Sequence, residues 1–319
     1  MNKPLLFVSA RPLGRAENLR AVWDAYNGEK EFRQVDGCGH HPDIASGKFD
    51  TMVIDEFPKE TPGRAVMIWH AIQGCKKIGL DQPHPYYRYK YAQLMTCIVT
   101  AGTGSVQMFA DCTGVKTDRI FPLGLPRTDC YVGKKKGQGY TLWHDRRMYL
   151  YAPTFRTETE TPMPDIDWQW IDNTLTDDET LVVKFHPFRD LQRFDAQKYR
   201  HIVSIPSTTP STPYLIDADV VITDYSSIML DGYLLGKPCV LFEKDPGYTK
   251  SRGMYLQYPD AYCSRYATNE AELIHAIRTA DNLTDVEKDC IWNLANMCDG
   301  NATERTLRLV EQVRKGALD

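Results

Sequence analysis

The sequence predicts an α/β protein of two domains, each built on a mainly parallel sheet, with a cleft between them. Three observations carry this. Short apolar runs alternate with amphipathic segments through both halves of the chain, the rhythm of strand–helix–strand units. The rhythm breaks once, at the polar, glycine-rich stretch Gly133-Lys134-Lys135-Lys136-Gly137-Gln138-Gly139, which reads as a linker. At 319 residues the chain is also longer than one ordinary domain. The expected division is residues 1–138 and 139–319, with the last helix expected to pack back on the first domain.

Taken in order, the first half offers strands at Leu5–Val8, Thr51–Ile54, Val66–Trp69, Cys97–Ala101 and Ile120–Leu123, with helices at Glu17–Tyr26 and Ser105–Cys112. The second half restarts with strands at Met148–Ala152, Leu181–Phe185, His201–Ile205, Val220–Thr223 and Val240–Phe242. Its helices fall at Trp168–Asn173, Ser227–Leu235 and Glu270–Ala280. From Asp285 to Lys315 the pattern is helical throughout, broken only at Asp299-Gly300-Asn301.

Composition narrows the function. A net charge of −4 with no long basic run argues against nucleic acid as a partner. No apolar stretch approaches the roughly 18 residues a membrane span needs. The N-terminus, with one Lys and a very short apolar run, reads as a first strand and not as a signal peptide. The nine cysteines are scattered and never spaced CxxC, which indicates neither a disulfide framework nor a zinc site and places the chain in the cytoplasm. Cys38-Gly39-His40-His41 has no second cluster at ligand spacing and reads as a loop. No metal or other cofactor is expected.

Asp217 to Pro238 is the stretch most concerned with chemistry. The strand Val220–Thr223 runs into Asp224-Tyr225-Ser226-Ser227, small hydroxyls and an acid at the start of an apolar helix. Such a junction aims backbone N–H groups and the positive end of a helix at one spot, where an anion can bind. Asp231 lies one turn into that helix, placed either to accept ribose hydroxyls or simply to face solvent. Lys184-Phe185-His186-Pro187 ends another strand, where a parallel sheet presents groups to ligand. A phosphate contact and a solvated turn are both open there. His70, after the Val66–Trp69 run, is either a general base or a satisfied structural imidazole. Arg127 could reach a phosphate or pair with Asp129. Arg156 and Arg252 are further candidate anion contacts.

These pieces together resemble the CDP-glycerol glycerophosphotransferase family of teichoic-acid and capsule synthesis. The matching landmarks are Trp69-His70, Gly124 to Asp129 (Gly-x-Pro-Arg-x-Asp), Tyr151 to Arg156 (Tyr-Ala-Pro-Thr-Phe-Arg) and Lys184 to Pro187 (Lys-x-His-Pro). Thr223 to Ser227 (Thr-Asp-Tyr-Ser-Ser), Asp231, Lys237-Pro238, Arg252-Gly253 and Asp299-Gly300 with Glu304-Arg305 follow in the same order. The first strand with Ser9 and the helix entering at Asn18 are also similar to the family's start. The segment after His70 departs: Ala71-Ile72-Gln73-Gly74-Cys75-Lys76 stands where polymerising members carry Gly-Thr-Pro-Leu-Lys, a form closer to the branch that adds a single primer unit.

The resemblance implies a GT-B fold, two Rossmann-like domains facing a central cleft, with C-terminal helices. It implies transfer of glycerol phosphate from CDP-glycerol to an acceptor hydroxyl, with release of CMP. Thr223, Asp224, Ser226 and Ser227 with Lys184, His186 and Arg252 would hold the diphosphate, Asp231 the ribose, and His70 would take the acceptor proton. Acceptors of the family are lipid-linked at the inner membrane face. The basic and aromatic run His84-Pro85-Tyr86-Tyr87-Arg88-Tyr89-Lys90-Tyr91 is either a surface for that membrane or a partly buried tyrosine cluster.

Overall fold

The computed structural model describes residues 3–35, 40–57, 60–74, 77, 93–139, 143, 145–154, 165–186, 194–244 and 253–318. Cys38, Arg156, Pro187, Arg252 and the run His84–Tyr91 lie outside these described residues. The chain divides into two units, Met1–Val132 with Trp292–Asp319, and Gly133–Ile291.

In the first unit the short apolar runs become strands: β1 (Leu5–Ser9), β2 (Lys30–Gln34), β3 (Thr51–Ile54), β4 (Arg64–Ile68), β5 (Cys97–Thr100) and β6 (Ile120–Pro122). They form one sheet in the order β2-β1-β3-β4-β5-β6, and every neighbouring pair is parallel. The helices α1 (Glu17–Ala25) and α2 (Ser105–Thr113) connect them. Leu6, Val8, Met52, Ile54, Met67, Ile98 and Phe109 share one core. Leu5, Phe7, Val53, Val66 and Val99, which alternate with them, are buried as well. With both faces covered, the strands read as unbroken apolar runs instead of alternating ones.

The second unit repeats the plan. Its strands are β7 (Arg147–Tyr151), β8 (Glu179–Val183), β9 (Ile202–Ser204), β10 (Val220–Thr223), β11 (Cys239–Phe242) and β12 (Tyr266–Ala267). The sheet order is β12-β11-β10-β7-β8-β9, again all parallel. Helices α3 (Trp168–Thr174), α4 (Thr212–Asp217), α5 (Ile228–Leu234) and α6 (Glu270–Thr279) accompany it. Tyr149, Tyr151, Leu181, Val183, Val220, Ile222, Val240 and Phe242 pack one face against Leu273, Ile274 and Ile277 of α6.

Each sheet has one position where its strand order reverses. In the first it lies between β1 and β3, and in the second between β7 and β10. At such a point the connections leave in opposite directions and open a crevice beyond the strands' carboxyl ends.

The chain ends in α7 (Asp285–Ala295) and α8 (Ala302–Arg314). Helix α8 lies in the first unit against α1, β3, β4 and the Pro126–Cys130 turn. Its own residue Asn301 supplies no side-chain cap. Asp129 does so instead, accepting from the N–H groups of Ala302 at 3.0 Å and Thr303 at 2.7 Å. Arg305 donates to the Leu123 carbonyl at 2.8 Å and forks onto Asp299 at 2.8 and 3.0 Å. Gly124 has φ +84°, and a Cβ there would collide with the Met297 carbonyl. The Gly-x-Pro-Arg-x-Asp and Asp-Gly…Arg landmarks therefore meet each other, and this contact seats the last helix.

Candidate active site

In the second unit the switch point is closed by a carboxylate. Asp224, directly after β10 and 2% exposed, accepts from the Thr154 N–H at 3.0 Å, the Thr154 hydroxyl at 2.6 Å and the Tyr225 N–H at 2.7 Å. Thr154 follows β7, so this acid ties the two strand ends flanking the crevice. Thr223 reinforces the tie by donating its hydroxyl to the Ala152 carbonyl at 2.6 Å. Ser226 and Ser227 come next and are half-buried at the entry to α5. The Ser226 hydroxyl sits 3.5 Å from the Ile228 N–H, and Ser227 makes no capping bond through its side chain. Helix α5 has only seven residues, so its dipole is short, and hydroxyls and local N–H groups carry most of the polarity. Asp231, one turn in, is 5% exposed.

The adjacent strand β8 delivers Lys184 and His186 to the same edge. The Lys184 N–H bonds the Tyr151 carbonyl at 2.9 Å, and its ammonium donates to the Ser207 carbonyl at 3.2 Å. Lys184 is 7% exposed, and a buried ammonium is retained only where anionic or carbonyl oxygens face it. His186 is half-buried beyond it. The carboxyl edges of β10, β7 and β8, three consecutive strands, thus gather Ser226, Ser227, Thr154, Lys184 and His186. By contrast, Lys237 precedes β11 and lies at the opposite, amino edge. There burial lowers its pKa, opposed by Asp219.

In the first unit His70 follows β4. Its ring lies on the Trp69 indole, 4.4 Å between centroids and tilted by 37°. Arg127 is 8% exposed. It donates its backbone N–H to Asn18 Oδ1 at 2.9 Å and a guanidinium N–H to the Tyr131 hydroxyl at 3.4 Å. Asp129, its suspected partner, is engaged in capping α8.

Sequence reasoning passed over one further group. Asp55 directly follows β3 and Ser9 ends β1, so both stand at the first sheet's switch point. The Ser9 hydroxyl donates to Asp55 Oδ2 at 3.1 Å, and the Arg11 guanidinium lies 3.8 Å from the same oxygen. Oδ1 is buried with no hydrogen-bond partner. Burial pushes the Asp55 carboxyl up to about 6, against the opposing pull of Arg11 and Ser9. The available signal was an acid ending an apolar strand, in Val53-Ile54-Asp55. His40 on the neighbouring loop pairs with Glu60 at 2.6 Å. Among the described residues no group of three His, Cys, Asp or Glu is arranged to hold a metal ion, and no helix is long and apolar enough to cross a membrane.

Two six-stranded parallel sheets, each with a switch point, define an α/β protein of GT-B-like architecture. The same fold is seen in the wall teichoic acid polymerase TagF, with a TM-score of 0.75 at 17% identity over 99% of this chain and 90% of that one. It recurs in Staphylococcus aureus MnaA solved with UDP, with a TM-score of 0.62 at 14% identity over 98% and 97%. At the level of sequence the assignment is narrower. Residues 48–312 match the CDP-glycerol:poly(glycerophosphate) glycerophosphotransferase family, and the chain belongs to that family.

A teichoic acid glycerol-phosphate primase of Bacillus subtilis is 27% identical, aligned over 80% of this chain and 70% of its own length. A teichoic acid poly(ribitol-phosphate) polymerase of Bacillus spizizenii is 25% identical over 76% of this chain, which spans 42% of that larger protein.

Proposed function

We propose that this protein transfers glycerol phosphate from CDP-glycerol to a hydroxyl of a lipid-linked acceptor in the synthesis of a teichoic-acid or capsule-type polymer, releasing CMP. The reading is supported by the carboxyl edge of the second sheet, where a buried ammonium, an imidazole and two serine hydroxyls follow neighbouring strands on and beside the switch point in a member of this family. Lys184, His186, Ser226, Ser227 and Arg252 hold the diphosphate, and Asp231 accepts from the ribose. Arg127 and Arg156 supply additional positive charge to phosphate oxygens. The first unit contributes His70, which takes the proton as the acceptor oxygen bonds to the β-phosphorus. The bond from that phosphorus to the bridging oxygen breaks, and CMP leaves. Such transfers depend on placement and charge stabilisation more than on covalent intermediates.

A panel of CDP-glycerol, CDP-ribitol and nucleotide sugars, scored for CMP release, tests the donor. Ribitol is a specific competitor, because relatives named for either polyol match this chain at similar identity. A sugar donor attacked at carbon releases a nucleoside diphosphate instead. His70→Ala and His186→Ala should each cut CMP release by 100-fold or more, at the scale of general acid–base and charge contributions. Near-normal turnover in either variant removes that residue from its role.

The acceptor places the enzyme at the inner face of the membrane. Co-sedimentation with anionic vesicles checks this, and recovery of all the protein in the supernatant counts against it.

A further inference from the structure

Asn18 lies in the first turn of α1, 2% exposed, and its carboxamide is used at both ends. Nδ2 donates to the Trp69 carbonyl at 2.8 Å, and Oδ1 accepts from the Arg127 N–H at 2.9 Å. The orientation is forced. A flipped amide would face oxygen to oxygen and N–H to N–H, losing both bonds and burying four unsatisfied groups.

The Trp69 carbonyl belongs to the peptide that carries His70, so this amide sets the plane of that peptide. The Trp69 side chain is held independently. Its indole packs on Phe57 at 5.6 Å, past the end of β3, and meets Phe109 of α2 edge-on at 6.0 Å and 74°. The His70 ring rests on that indole. The backbone of the histidine is thus fixed by one residue and the face of its ring by another. A buried Asn in a helix is otherwise a poor choice, since its side chain competes for backbone bonds and loses water.

We infer that Asn18 is a positioning residue for His70, holding the Trp69–His70 peptide in the orientation that presents the imidazole, and locking it to the loop that carries Arg127. The inference rests on His70 being the proton acceptor of the proposed reaction. A displacement of about 1 Å at such a group costs on the order of 100-fold in rate.

Three variants of the full chain separate positioning from mere stability. Asn18→Asp keeps an acceptor for the Arg127 N–H but has no donor for the Trp69 carbonyl. Asn18→Leu removes both bonds at nearly the same volume. Arg314→Ala is the control: it releases α8 from the Lys3 carbonyl, a 2.7 Å bond, and from the Tyr26 hydroxyl, and touches neither residue 69 nor residue 127. Three readouts are taken: the thermal melt, CMP release from CDP-glycerol with a soluble glycerol-phosphate-terminated acceptor, and the His70 imidazole resonance of histidine-labelled protein from pH 5.5 to 8.5, assigned with His70→Gln.

Both Asn18 variants should lower kcat by about 10- to 100-fold and shift the His70 resonance, and Asn18→Asp, which keeps the Arg127 N–H bond, should leave KM for CDP-glycerol within about twofold. Arg314→Ala should lower the melting temperature alone. The inference is overturned if the Asn18 variants leave the His70 resonance where it is in the parent, or lose activity only in proportion to the unfolded fraction. If His70→Ala itself turns over normally, the proton-acceptor assignment fails, and the resonance in Asn18→Asp still decides whether Asn18 positions the ring.

Discussion

Asp224 shows how a strand-end acid can be engaged by the fold itself. In sequence it reads as part of an anion-binding turn. In the fold its carboxylate is occupied by Thr154 and Tyr225, so it shapes the crevice by joining the ends of β7 and β10. Asp224→Ala would leave three buried donors unsatisfied and should cost on the order of 3 kcal/mol. KM for CDP-glycerol should rise with it. A urea melt and a donor titration check both, and an unchanged midpoint would refute the structural role.

Asp55 is the opposite case, a buried acid with one oxygen unpaired. Its folded pKa of about 6 lies above the unfolded value near 3.9, so between these values the folded state binds more protons. Its contribution to stability is therefore complete below about pH 4 and is lost as pH rises through about 6. Asp55→Asn, neutral at every pH, should be the more stable protein at pH 8, by on the order of 2–3 kcal/mol. That advantage should shrink towards zero by pH 4. Parallel melts across this range measure it, and a pH-independent difference would contradict it.

Elements were legible where burial alone made them. Each strand expected from an apolar run is present, with ends shifted by at most two residues, because most of them are buried on both faces and short enough for a strand. Strand β2 was not expected: Lys-Glu-Phe-Arg-Gln lies at the sheet edge with no fully buried residue, so its pattern carries no apolar signal. Helix α4 hid behind Pro213 near its start, which is tolerated in a first helical turn but reads as a breaker. In the candidate site, strand-end positions such as Lys184 and His186 could be read directly. The partners of Asn18, 51 and 109 residues away, could not, because only the folded sheet brings them together.

One long-range tie at the element scale can be tested by acid. Glu179 begins β8, accepts from the Tyr149 hydroxyl of β7 at 2.7 Å and pairs with Arg278 of α6 at 2.6 Å. Burial pushes its pKa up, but the bonds from Arg278, Tyr149 and Thr176 outweigh this and hold it at about 2. For a depressed carboxyl the stabilisation is present above the unfolded pKa near 4.3 and is lost as pH falls through about 2. Glu179→Gln should cost about 1–2 kcal/mol at pH 7, allowing for solvent screening on the Arg278 side. The loss should disappear as the pH approaches 2. A constant loss over that range would mean that packing, not charge, holds the three elements.

At the scale of the whole molecule, the two units differ in how the chain enters them. The second unit is one continuous segment, Gly133–Ile291, whereas the first needs both Met1–Val132 and Trp292–Asp319. The glycine-rich stretch read as a linker belongs to the second unit and is tied down. The Gly137 and Gly139 N–H groups donate to Asp217 at 2.7 and 3.1 Å, and Lys136 pairs with Asp219 at 2.5 Å. In the first unit α8 buries Leu309, Val310 and Val313, and Asp129 and Arg305 anchor its start. Residues 133–291 expressed alone should therefore melt cooperatively and bind CDP-glycerol, weakened by the loss of Arg127, since Lys184, His186, Ser226, Ser227 and Asp231, proposed above to hold the donor, all travel with them. Residues 1–132 alone should lack a cooperative melt until a chain carrying 292–319 is supplied, because the apolar face beneath α8 would otherwise meet water. Calorimetry of the fragments, with CDP-glycerol titrated into the first, reads both halves of the prediction. A folded 133–291 that fails to bind the donor would show that donor binding needs groups from the first unit.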